Sequence, residues 1–77
     1  MTRKQLERFV KIRNASGFSS NLQFQFDLES VGLKIADLGP VEVFEATATA
    51  PKAYVWTTPH GRLREMGGRL ELEVEGA

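Results

Sequence analysis

His60 is the side chain of this sequence best suited to proton transfer near neutrality, since an unperturbed imidazole titrates at about 6.5. General-base chemistry also needs a nucleophile held beside the ring. No serine can be paired with His60 from the sequence, and cysteine is absent. His60 stands between Pro59 and Gly61, the setting of an exposed turn. The carboxylates of Glu71, Glu73 and Glu75 recur at every second position and share one face of an extended chain. An even stripe of this kind on a terminal strand reads as a solvated face rather than an acid–base pair. Gly67-Gly68 lacks the lysine and the helix of a phosphate-cradling loop. With one histidine and no cysteine, no metal-ligand set can be assembled. No catalytic, metal or cofactor-binding residue is therefore assigned, and the chain is expected to be non-enzymatic and free of cofactors.

Binding chemistry has more support. Tyr54, Trp56, Arg62 and Arg64 fall on neighbouring strands of an expected hairpin, where aromatic rings stack bases and arginines meet phosphate. The shared parity of Tyr54 and Trp56 suits a core equally well. Residues 1–13 carry Arg3, Lys4, Arg8, Lys11 and Arg13 against Glu7 alone, while the formal net charge of the chain is +0. The remainder is acidic, which opposes phosphate binding. A basic arm can contact nucleic acid or an acidic partner. The preferred reading is that the two ends neutralise each other, with Lys11 or Arg13 near Glu71, Glu73 or Glu75.

The elements that must position these groups read as strands. Leu22, Phe24, Phe26 and Leu28 alternate with Gln23, Gln25 and Asp27, which places four large apolar groups on one side of an extended segment. Burying each is worth about 1.5–3 kcal/mol, so residues 21–28 are expected to anchor the core. Thr2 and Gln5 have capping-box spacing, and Leu6, Phe9 and Val10 have helical spacing, but the apolar pattern fails at Arg13. Residues 8–14 are therefore read as a first strand with Val10 and Ile12 facing in. Asn14 to Gly17 is a turn, and its Asn14-Ala15-Ser16 match to a glycosylation acceptor is taken as incidental. Weaker strands follow at 31–36 and 41–45, then a low-complexity loop at 46–52 ending near Pro51. Strands at 53–58, 62–66 and 69–75 are separated by the Thr58-Pro59-His60-Gly61 and Gly67-Gly68 turns.

Six to seven short antiparallel strands at about ten-residue spacing predict an all-β fold, a small β-sandwich or barrel. The expected organisation is a flexible, charged N-terminal arm over residues 1–7 and a single β domain over 8–77. At 77 residues, with no disulfide to reinforce it, such a domain buries only about 60% of its unfolded surface, which favours association. No apolar run of membrane-spanning length is present, and with no apolar run behind Arg3 and Lys4 no signal peptide is expected.

Lys11-Ile12-Arg13-Asn14-Ala15-Ser16-Gly17 and the run from Leu33 through Asp37-Leu38-Gly39-Pro40 to Val43 resemble a pattern in small structural proteins of tailed bacteriophages. There, a first strand and turn precede a hydrophobic strand and a glycine-proline turn into a valine-rich one. The usual order is proline before glycine, and this chain reverses it. The resemblance implies a virion component, a capsid decoration or head-tail, neck or tail protein, whose partners are other virion proteins or copies of itself. It implies localisation in the virion, with host cytoplasm during assembly, and no membrane contact. Arg3, Lys4, Arg8, Phe18, Thr47, Thr49 and Lys52 are the expected partner contacts. The alternative is a small regulatory β module, cytoplasmic, that binds nucleic acid or inhibits a host protein.

Overall fold

A computed structural model describes residues 1–17 and 20–74. Helix α1 (Arg3–Ser16) begins at the Thr2 cap, where the Gln5 amide N–H donates to Thr2 Oγ1 at 3.1 Å. The Thr2 N–H donates in return to Gln5 Oε1 at 2.8 Å. This reciprocal cap satisfies two of the donors that a helix start leaves orphaned. Gly17, at φ 68°, ends the helix in the left-handed region. Leu6, Phe9 and Arg13 form the buried face, three and four residues apart. The cation that breaks the apolar pattern thus lies on the helix's core side, and residues 3–7 are helix rather than a flexible arm.

The expected anchor strand is also a helix, α2 (Asn21–Ser30), capped by Ser20 Oγ accepting from the Gln23 N–H at 3.1 Å. Alternation at 22, 24, 26 and 28 contains two i,i+4 pairs, and a helix sends them to opposite faces. Phe24 and Leu28 are buried, whereas Leu22 is 63% and Phe26 53% exposed. The segment contains no β-branched residue, so its local preference does not oppose the helix. Residues 31–36 form no strand: Val31 caps α2, Leu33 is buried, and a 3₁₀ turn (Ile35–Leu38) follows. The Lys34 N–H donates to Asp37 Oδ2 at 2.8 Å to open that turn.

The second half of the chain folds as its alternation predicts. Strands β1 (Val41–Phe44), β2 (Ala53–Thr58), β3 (Gly61–Met66) and β4 (Arg69–Glu73) form an antiparallel sheet in the order β1-β2-β3-β4. Gly67 and Gly68, at φ 62° and 82°, supply the tight β3–β4 turn. The architecture is therefore two helices on one face of a four-stranded meander, not an all-β sandwich or barrel of six to seven strands. Trp56, Leu63 and Leu70 face the helices and join Leu6, Phe9, Phe24 and Leu28 in one core. Phe9 meets Phe24 edge-on, with centroids 5.2 Å apart and planes at 89°.

Helix α1 packs against α2 and β4. Asn14 completes the docking by imitating a neighbouring strand. Its Nδ2–H donates to the Leu70 carbonyl at 2.9 Å, and the Leu70 N–H donates to its Oδ1 at 2.7 Å. The outer edge of β4 is covered in this way at Leu70. Asn14→Ala leaves both Leu70 backbone groups without these partners. A loss of about 1–3 kcal/mol is expected, read as a lower urea midpoint at unchanged slope. A change within about 0.3 kcal/mol would show that water replaces the amide without penalty.

Candidate functional site

The helical layer stops short of β1. Because Asn14 bonds the far edge of β4, α1 is held toward that edge, and α2 lies beside it. Pairing of Val41 with Trp56 and Val43 with Tyr54 puts these four side chains on the helix-facing side of the sheet. Yet Val41 is 50% and Val43 44% exposed. Between this uncovered strand and α2 runs a groove of about 330 Å³. Val41, Val43 and Ile35 flank it, Asn21, Phe24 and Gln25 border it from α2, Tyr54 and Trp56 contribute from β2, and Glu65 from β3.

Three aromatic rings run in a row beneath the groove. Trp56 stacks on Phe24 at 5.4 Å with planes 20° apart, and on Tyr54 at 6.0 Å and 21°. Behind Phe24 lies the Arg13 guanidinium, 5.4 Å from the ring centroid. Arg13 Nη1 is 3.6 Å from Asp27 Oδ2, and its Nη2 is 3.9 Å from Glu65 Oε1. These are ion-pair separations, too long for hydrogen bonds. Gln23 Nε2–H donates to Asp27 Oδ1 at 2.9 Å. Among the described residues, Arg13 Nε and Nη1 and Asp27 Oδ2 are buried without a hydrogen-bond partner. Burial pushes the Glu65 carboxyl above the ordinary glutamate range, although the Arg13 guanidinium pulls it down. One guanidinium thus faces two carboxyl groups, and of these Glu65 borders the groove.

The free edge of β1 is the second open feature. The Pro40 carbonyl accepts from the Thr57 N–H at 2.9 Å, which makes Glu42/Val55 and Phe44/Ala53 the mutually bonded pairs of this ladder. The backbone groups of Val41 and Val43 therefore point away from β2. Asn14 has no counterpart here among the described residues.

The expected contacts are not gathered at this groove. Arg3, Lys4 and Arg8 are exposed along α1 with Lys11. Thr47 and Thr49 belong to the β1–β2 connection, where Thr47 Oγ1 accepts from the Thr49 and Ala50 N–H groups. Lys52 pairs with Glu45 at 3.9 Å and lies 5.4 Å from the Tyr54 centroid, beside the groove. Phe18 and Glu75 lie outside the described residues. Lys11 and Glu71 border one depression between α1 and β4, but no ion pair joins them among the described residues, and the element beside β4 is a helix rather than the expected first strand. Arg13 instead turns into the core. Tyr54 and Trp56 face the helices, whereas Arg62 and Arg64 face the other side, opposite Glu73 and Glu71. The anticipated stacking-and-phosphate surface is therefore split between two faces. His60 Nε2–H donates to the Met1 carbonyl at 3.1 Å, and the His60 N–H donates to Thr58 Oγ1 at 3.1 Å. Among the described residues no cluster of three or more potential ligands is placed to hold a metal. No helix there is long and apolar enough to cross a membrane.

The groove was missed in the sequence because Val41, Val43, Tyr54 and Trp56 have the parity of core residues. What leaves it open is the placement of α1 at the β4 edge through Asn14, a contact between residues 56 apart that has no local signal in the sequence. The chain matches no known family model, and no counterpart was found among curated proteins or solved structures.

Proposed function

We propose that this chain is a non-enzymatic interaction protein whose groove takes up an amphipathic helix from a neighbouring subunit. The supporting observation is the bare inner face of β1 beside the row formed by Phe24, Trp56 and Tyr54. Strands about 4.8 Å apart put β1 some 10 Å from β3, about one helix diameter. A third helix alongside α2 would cover Val41, Val43 and Ile35 and complete the upper layer. Helices that fill such grooves do so with apolar anchors at i, i+3, i+4 and i+7. The exposed cations Arg3, Lys4 and Arg8 offer an acidic neighbour a second contact. A bacteriophage virion is the proposed setting, with another virion protein or a further copy of the chain supplying that neighbour. It rests on the Gly39-Pro40 turn into Val41–Val43 alone, because residues 11–16 of the resemblance are helix and residues 33–38 a loop and 3₁₀ turn rather than strand.

Selection of a displayed library of random fifteen-residue peptides on the immobilised chain tests the proposal. The expected consensus has apolar residues at helical spacing. Selected peptides should shift the fluorescence of Trp56, the single tryptophan, and should fail to bind Val43→Asp. A consensus with period-two alternation, blocked by Val43→Pro, would instead assign strand addition at the β1 edge and overturn the helix. Absence of enrichment would overturn the groove as a peptide site. A concentration-dependent dimer in light scattering, lost in Val43→Asp, would assign the groove to self-association.

A further inference from the structure

The groove carries a charge that its own chain does not balance. Asp27 and Glu65 share Arg13, so the cluster has one carboxyl group in excess. The two acids are not equivalent. Asp27 is buried and receives the Gln23 amide, whereas Glu65 borders the groove and is partly exposed there. Its cross-strand neighbour is Tyr54, and the Trp56 ring stacked on Tyr54 continues the same wall. Aromatic faces attract a cation through their quadrupole, and a carboxylate at the end of the row fixes where its charge settles. Lys52 shows the same preference from outside, over the Tyr54 ring. A wholly apolar occupant would bury Glu65 further and leave it without a partner, which costs affinity.

We infer that the helix received by the groove presents one lysine or arginine, whose stem lies along Tyr54 and whose charge meets Glu65. This rests on the helix-binding role proposed above and specifies its partner as an amphipathic helix with a basic residue beside its apolar stripe. A helix lying over β1 has its axis about 10 Å from β3 in the plane of the sheet, a span that a long basic side chain and the glutamate bridge together. Arg13 is not available for this contact, because it is buried behind Phe24.

The peptides selected above supply the test. In the wild-type selection, one position next to the apolar anchors should be occupied by lysine or arginine. Repeating the selection on Glu65→Gln should keep the anchors and lose that basic position. A selected peptide with its basic residue changed to glutamine should bind the wild type about tenfold or more weakly, as expected for a charge-assisted contact. That substitution should cost nothing further against Glu65→Gln, because the two changes remove the same interaction. The peptide-side change cannot disturb folding, so it protects the result if Glu65→Gln is itself less stable. Apolar anchors without a basic preference would overturn this inference while leaving the helix-binding groove intact. Loss of the anchors as well would overturn both.

Discussion

Arg13→Met is expected to remove about 3–5 kcal/mol of stability at neutral pH, the cost of stripping the counter-charge from the buried Asp27 and the half-buried Glu65. Methionine fills much of the space and keeps contact with Phe24, so the loss isolates charge rather than volume. Domains hold only about 5–15 kcal/mol in total, so the variant should sit near its unfolding transition at room temperature. The pH dependence identifies the cause. Glu65 is raised by burial and lowered by Arg13. Its folded form therefore holds a proton more tightly than the unfolded chain does. The stability from this group is fully present below the ordinary glutamate range and is lost as pH rises through the raised folded value. Without Arg13 the opposing pull disappears, and that window should extend upward. Acidification of Arg13→Met should then restore stability by a larger amount than acidification of the wild type. Combining Arg13→Met with Asp27→Leu and Glu65→Gln should recover most of the loss, because no buried ion then remains. A chemical-denaturation series across pH would decide it. A loss below about 1 kcal/mol, unchanged by pH, would mean that water reaches the cluster.

Gly61→Ala is the second substitution with a large expected effect. Gly61 opens β3 at φ 132°, and a Cβ there would collide with the Glu73 carbonyl oxygen and lie 3.0 Å from Val74 Cα. The obstruction is backbone on β4, so no side-chain rotation relieves it, and the strands must part where Arg62 pairs with Glu73. Strain at a left-handed backbone and overpacking each cost about 1–3 kcal/mol, giving an expected loss of about 3 kcal/mol or more. Gly17→Ala is the matched control. Gly17 also has a positive φ, of 68°, but no described atom lies within 4 Å of its Cβ position. Its cost should be about 1–2 kcal/mol, the backbone term alone. Equal thermal shifts for the two variants would show that β3 and β4 separate freely at this end.

Neither expected effect was visible in the sequence. Arg13 broke a helical apolar pattern and so argued for a strand, yet that residue is where three elements meet. A cation is tolerated on a buried helix face only if acids converge on it, and those acids come from α2 and β3. Such convergence has no local signature. The segment 21–28 failed for a related reason. Apolar residues at every second position satisfy one strand face, but also two opposite helix faces. The deciding influences were the Ser20 cap and the burial available to Phe24 and Leu28.

From residue 53 onward, local chemistry was sufficient to place the strands. Paired glycines at 67 and 68, Pro59 in the preceding turn, and β-formers in steady alternation mark two successive hairpins, whereas the pairing of β1 with β2 came only from the fold. The Thr2–Gln5 spacing was visible too, but the break at Arg13 outweighed it and the helix it opens was read as an arm and a strand. What the sequence determined by itself was therefore the set of turns and strands after residue 52 whose cause lies within a few residues; the Ser20 cap and the turn at Lys34–Asp37 are equally local but were overridden by a strand-like alternation. Tertiary structure decided the rest. It sent Arg13 inward, it sent His60 to the Met1 carbonyl instead of a reacting group, and it left the inner face of β1 uncovered. The physical reason is that burial depends on what other elements can reach. Asn14 holds α1 at the β4 edge, and the open groove at the opposite edge is the consequence.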